Sequence, residues 1–161
     1  MKIMNKIIEK LLEPDVIVVF DTDGVLAPYE WGKNNRHSMP DAEWDKRLEQ
    51  QEDIYKLIRP VKVFQDFIKQ KDIKTIFVCS KTGQAELESK TDFCKNNYGI
   101  LAENIQFVKD KADKLCVLDK IRDSLNVPED KIAIVEDTVK TLDMIAADRD
   151  YITVHVSSFL D

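Results

Sequence analysis

The chain has 161 residues, 43% of them hydrophobic and 34% charged, with 30 acidic against 24 basic side chains and a formal net charge of −6. That length supports one domain with a substantial core and excludes two ordinary ones, and no apolar run approaches the roughly 20 residues that span a bilayer. The acidic balance argues against a nucleic-acid partner, because a phosphate backbone favours basic surfaces, yet it leaves room for a small phosphorylated ligand beside a divalent metal.

The first stretch, MKIMNKIIEKLLEP, places Ile3, Ile7 and Leu11 at helical spacing with Asn5, Lys6, Glu9 and Lys10 between them. This predicts an amphipathic helix packed beside the first strand and not the apolar core of a signal peptide. Val16-Ile17-Val18-Val19-Phe20 follows, β-branched and aromatic with no polar alternation, and reads as a strand buried on both faces of a parallel sheet. The run stops on Asp21 and Asp23, with Gly24 after them. In open α/β sheets the carboxyl ends of the strands are where ligands bind. Residues two apart in an extended segment point the same way, so both carboxylates can converge on one cation or phosphoryl group, while Gly24 allows the backbone to turn there.

Residues 27–59 are too long for an ordinary βα loop and too short for a core of their own. Both tryptophans of the chain, Trp31 and Trp44, lie here with Lys33, Arg36, His37 and Tyr55. Asp41 is expected to cap a helix running to about Ile58. The insert sits next to the acidic strand end, and reads as a lid or specificity element or as an oligomer interface.

Pro60 is expected in the first turn of a helix carrying Val61, Phe64, Phe67 and Ile68. A strand is predicted over Ile73–Cys79, ending on Ser80, then a polar helix from beyond Gly83 to about Tyr98 and a strand at Ile105–Val108. A helix from about Ala112 to Leu125 presents Leu115, Leu118, Ile121 and Leu125 on one face, with Pro128-Glu129-Asp130 as its exit loop. Lys131–Val135 is another buried strand, ending on Glu136-Asp137. A helix through Leu142, Ile145 and Ala146 and a last strand over Tyr151–Val156 complete the chain. Alternating strands and helices of this kind predict βαβ units on a parallel sheet. Cys79, Cys94 and Cys116 lack metal-ligand spacing and are expected as reduced core thiols in a cytoplasmic setting.

Taken in order, the strand ends resemble the motifs of the haloacid dehalogenase-like (HAD) phosphohydrolases over nearly the whole chain. FDTDGVL matches the first motif, a hydrophobic strand ending in Asp-x-Asp-Gly; Ser80 in FVCSKT matches the second; Lys114 in KLCVLDKI fits the third in a register similar to the phosphoserine-phosphatase branch, with Lys111 as runner-up and Lys109 behind it; IAIVEDTVKTLDMIAAD resembles the Glu-Asp form of the fourth, seen in the phosphoglucomutase-like branch. The resemblance implies a three-layer α/β sandwich with sheet order about 5-4-1-2-3 and a small or minimal cap at 27–59. It implies a magnesium-dependent phosphatase with Asp21 as the nucleophile that becomes an aspartyl-phosphate and Asp23 as general acid and base. Ser80 and Lys114 would bind the transferring phosphoryl group. Magnesium would be held by Asp21, the Asp23 backbone carbonyl and Asp137, with Glu136 as partner. Where many relatives carry a further aspartate, this chain has Thr141, and Asp143 is expected to miss the site.

The assignment of roles is chemically coherent. A metal-bound carboxylate stays ionised to attack, and its neighbour must carry a proton to the leaving group. Asp23 favours phosphate chemistry over dehalogenation, which needs no such acid. Receiver domains use similar residues, but there the acceptor aspartate lies on a later strand than the acidic pair. Three alternatives remain at this stage: a phosphatase acting on a small phosphorylated substrate, a phosphotransferase or mutase with the same site, and a non-catalytic binding protein of the same fold. A homo-oligomer in which a neighbouring subunit covers the site fits any of them.

Overall fold

The computed structural model describes residues 3–28 and 40–160. Five strands, β1 (Ile17–Phe20), β2 (Ile76–Lys81), β3 (Ile105–Val108), β4 (Ile132–Glu136) and β5 (Ile152–His155), form one sheet in the order β3-β2-β1-β4-β5. Each neighbouring pair is parallel, with β1 central: Val19 pairs with Phe77 on one side and Ile134 on the other. This is the expected order, read from the opposite edge.

Alternation along the strands divides the core into two layers. Val18 and Phe20 of β1 with Ala133 and Val135 of β4 face one side, where they meet α1 (Ile3–Leu11), α3 (Lys62–Lys69) and α4 (Leu87–Tyr98). Ile17, Val19, Ile132 and Ile134 face the other, against α5 (Lys114–Leu125) and α6 (Val139–Asp148). Every residue of β1 and β4 is buried, which explains why their sequences lack polar alternation. On the first face Phe20, Phe64, Phe67 and Phe159 pack edge to face, with centroids 4.8 Å apart for Phe64 and Phe159 and 5.5 Å for Phe20 and Phe64.

Several expected boundaries shift, each for a local reason. Ile73–Thr75 is a 3₁₀ turn and β2 begins only at Ile76, because the Asp72 side chain accepts from the Lys74 N–H at 3.0 Å and its carbonyl accepts from Thr75 Oγ1 at 2.7 Å. The insert helix, α2 (Asp41–Glu49), starts at Asp41 behind Pro40, and Asp41 makes no side-chain cap. It stops well short of Ile58, since Gln51 takes the left-handed conformation (φ 58°), and a separate 3₁₀ turn covers Ile54–Lys56. Pro60 precedes α3 instead of lying in its first turn, whose N-cap is Val61. Cys79 and Cys94 are buried free thiols as expected, whereas Cys116 is exposed: on α5 the inward stripe is Lys114, Val117, Leu118 and Ile121, and position 116 falls on the opposite side.

The insert is tied to the sheet domain at both ends. The Tyr98 hydroxyl accepts from the Val61 N–H at 2.7 Å and donates to the Leu26 carbonyl at 2.5 Å. Ile54, Tyr55 and Ile58 belong to the main core.

Candidate active site

The strand ends converge at the carboxyl edge of the sheet. Asp21 continues β1, its N–H donating to the Val135 carbonyl at 2.9 Å, so it sits directly beside the end of β4. Thr22 then turns the chain: its carbonyl accepts from Val25 and Ala27 N–H groups at 3.1 and 2.8 Å, and Gly24 takes φ 80°, which a side chain would strain.

Two buried lysines enter from opposite faces. Lys114, first residue of α5 and 0% exposed, lies 2.9 Å from Asp21 Oδ1 and 2.5 Å from Glu136 Oε2. Lys111 reaches Thr138 Oγ1 instead, at 2.6 Å. From the other face Lys90 of α4, also 0% exposed, lies 2.8 Å from Asp23 Oδ2, 2.9 Å from Thr82 Oγ1, 3.1 Å from the Lys81 carbonyl and 3.4 Å from Ser80 Oγ. The second oxygen of Asp23 accepts from the Tyr55 hydroxyl at 2.6 Å, and the Tyr55 ring is 5.5 Å from the Lys90 ammonium. Burial, reinforced by the Asp23 charge, pushes the Tyr55 phenol up and keeps its proton in place.

Carboxylate oxygens of Asp21, Glu136 and Asp137 lie within 4.8 Å of one another. Burial pushes Asp21 above the usual carboxylate range, against the Lys114 ammonium and with help from Glu136. Burial and then Glu136 do the same to Asp137. Glu136 is held low in spite of its burial, by its contact with Asp137 and by Lys114; its Oε1 also accepts from the Asp137 and Thr138 N–H groups at 3.1 and 3.2 Å. The donor set of Asp21, Glu136 and Asp137 is all oxygen, and its three carboxylates outnumber the Lys114 ammonium that touches two of them, so these residues fit a hard ion such as magnesium. The Asp23 carboxylate is engaged by Tyr55 and Lys90 and is not one of this group.

The site opens into a cavity of about 200 Å³ lined by Asp21, Asp23, Asp41, Trp44, Lys81, Glu86 and Lys111. Trp44 Nε1 donates to Glu86 Oε1 at 2.9 Å and the Trp44 ring meets Tyr55 edge to face at 5.9 Å. The His155 side chain at the end of β5 is fixed from both sides: its Nδ1 accepts from the Ser157 N–H at 3.2 Å, so Nε2 carries the proton toward the Asp137 carbonyl at 3.1 Å.

Every sequence-predicted strand-end residue, Asp21, Asp23, Ser80, Glu136 and Asp137, lies at this edge with Lys114. Asp143 is exposed. Trp31, Lys33, Arg36 and His37 lie outside the described residues. Lys90 and Tyr55 were not singled out for the site's chemistry. A signal for Lys90 exists: it stands at the head of the stripe Phe93, Cys94 and Tyr98, where an apolar residue belongs. Lys114 heads the stripe of α5 in the same way.

No protein-family model and no curated protein matches the sequence. Solved structures do. A hypothetical protein from Xanthomonas campestris aligns with a TM-score of 0.51 at 16% identity, covering 92% of this chain and 66% of that one, so the chain spans slightly less than two thirds of that protein. The HAD domain of the effector Lem4 from Legionella pneumophila aligns at 0.47 and 16%, covering 87% and 84%. The 3-deoxy-D-manno-octulosonate 8-phosphate phosphatase from Moraxella catarrhalis, in complex with magnesium, phosphate and its sugar, aligns at 0.43 and 16%, covering 93% and 82%. Likeness at such identities bears on the fold alone. The described residues form an α/β fold on a parallel sheet in the order β3-β2-β1-β4-β5 with a small helical insert after β1, the order expected from the resemblance of the strand-end motifs. Among the described residues no helix is long and apolar enough to cross a membrane.

Proposed function

We propose that the protein is a magnesium-dependent phosphatase that hydrolyses a small phosphomonoester through an aspartyl-phosphate on Asp21. The observation that carries this reading is the placement of Asp21: at the central strand end, between the Lys114 ammonium and the Glu136-Asp137 pair, facing a cavity. An Asp21 carboxylate oxygen attacks phosphorus, the ester P–O bond breaks, and Asp23 gives its proton to the departing oxygen. Water then attacks the phosphoryl group, its proton passes to Asp23, and phosphate and free Asp21 are released. Lys114 and the Ser80 hydroxyl hold the transferring oxygens. Bound magnesium would neutralise charge between the Asp21 carboxylate and the incoming phosphate, held by Asp21, Asp137 and the Asp23 backbone carbonyl, with Glu136 orienting the loop.

A cavity of about 200 Å³ is smaller than the ~300–1,000 Å³ of sites that engulf a whole ligand. It takes a phosphoryl group and the near part of its leaving group, as from a sugar phosphate or nucleotide. The free cysteines suit a reducing cytoplasm. The test is phosphate release from a panel of phosphorylated metabolites and p-nitrophenyl phosphate, with magnesium, with EDTA, and with Asp21→Asn. Release that needs both magnesium and Asp21 supports the reading. Release equal to the Asp21→Asn background overturns it in favour of a phosphotransferase or a binding protein.

A further inference from the structure

We propose that Lys90, together with Tyr55, is the positioning pair of the acid–base carboxylate, fixing Asp23 toward the leaving group and locking it to the Ser80–Thr82 segment. The inference rests on the phosphatase reading for the role of Asp23, and on geometry for the rest.

Lys90 is an expensive residue where it stands. It is fully buried, in the N-terminal half of α4, where the helix dipole disfavours a cation. A buried ammonium is tolerated only when its donors are met. Its three protons face three close acceptors, Asp23 Oδ2, Thr82 Oγ1 and the Lys81 carbonyl, at 2.8, 2.9 and 3.1 Å. Ser80 Oγ, at 3.4 Å, receives the longest contact, and its hydroxyl donates to the Lys81 carbonyl at 3.5 Å. The same cation therefore ties the end of β1 to the end of β2.

Tyr55 completes the arrangement. It reaches Asp23 Oδ1 from the insert at 2.6 Å and is itself wedged between Trp44 and Phe93, 5.9 and 5.8 Å away. With one donor on each oxygen, the carboxylate plane of Asp23 is set, and a remaining lone pair is the place for the proton that passes from water to the leaving group. Both side chains end on the Asp23 carboxylate, at 2.8 and 2.6 Å, so their effect on the reaction passes through it.

A general acid matters most when the leaving group is a poor one, so the readout is kcat/KM, which reports transfer to Asp21, for glycerol 2-phosphate against p-nitrophenyl phosphate. Lys90→Met is expected to lower kcat/KM for glycerol 2-phosphate on the order of 10²-fold, and for p-nitrophenyl phosphate by less than about a tenth of that factor. Tyr55→Phe, which removes one hydroxyl and keeps the packing, is expected to shift the ratio of the two substrates in the same direction. An equal loss on both substrates, or no loss, overturns the proposal. A second measurement needs no turnover: thermal melting of Lys90→Met, Asp23→Asn and the double variant. Non-additive shifts, the double variant losing less than the two single losses together, support the pairing, and additive shifts overturn it. If wild type releases no phosphate above Asp21→Asn, the phosphatase reading fails by itself, and the melting cycle still decides whether Lys90 and Asp23 act as a unit.

Discussion

Lys114 Nζ lies 2.9 Å from Asp21 Oδ1, a contact that joins the end of the first strand to the first turn of α5 across 93 positions of sequence. The same ammonium reaches Glu136, so one cation holds two buried carboxylates from two adjacent strands. Lys114→Met strips both of their partner. The expected cost is ~3–5 kcal/mol of folding stability, the usual penalty for orphaning a buried charge, read from urea denaturation. Adding Glu136→Gln to that variant should recover part of the loss. A Lys114→Met protein as stable as wild type would mean that the carboxylates are uncharged there.

Magnesium should stabilise the fold. Burial, and with it the Glu136 charge, pushes Asp21 and Asp137 up, and a divalent ion bound among these carboxylates offsets that cost. At 100 times the dissociation constant, binding adds about 2.7 kcal/mol, visible as a rise in melting temperature. Asp137→Asn should abolish most of the rise, and an unchanged rise would place the ion elsewhere.

Acid should loosen the far side of the molecule through Asp119. Its carboxylate accepts from Arg149 Nη2 at 2.9 Å and the Tyr151 hydroxyl at 2.6 Å, and the Arg149 bonds hold it below the ordinary 3.8. A carboxyl with a depressed folded-state pKa contributes stability that is present above its unfolded value and is lost as pH falls through the folded one. Stability should therefore fall below pH 3.8, and Asp119→Asn should flatten that part of the profile. Denaturation midpoints between pH 2 and 6 check this.

Tyr98→Phe should cost about 1–3 kcal/mol, because the Val61 N–H and the Leu26 carbonyl lose the hydroxyl between them. Hydrogen exchange should rise in the insert more than in β1 or β4. Uniform exchange across the chain would argue that the staple does not hold the insert.

The sheet was legible in the sequence because Val16–Phe20 and Ile132–Val135 are buried on both faces and therefore uniformly apolar. The acidic strand ends were legible because Asp21, Asp23, Ser80, Lys114 and Glu136-Asp137 follow one another in a fixed order at successive strand and helix ends, where any one of them alone would pass for a turn or surface residue. What escaped was set by contacts distant in sequence. Tyr55 is an ordinary insert aromatic until its hydroxyl meets Asp23, and Lys90 is one more lysine of a polar helix until the stripe of Phe93 and Cys94 turns it inward. The early stop of α2 depends on the backbone of Gln51, which no periodicity announces.

Because Leu26 and Val61 meet at one hydroxyl, the insert leaves and rejoins the domain at a single point. A segment anchored in this way can lengthen or shorten at little entropic penalty, roughly 0.6 kcal/mol for each doubling. On the phosphatase reading, the sheet-edge residues and the insert can then diversify at different rates, with Tyr55 on Asp23 and Trp44 on Glu86 tying the second to the first.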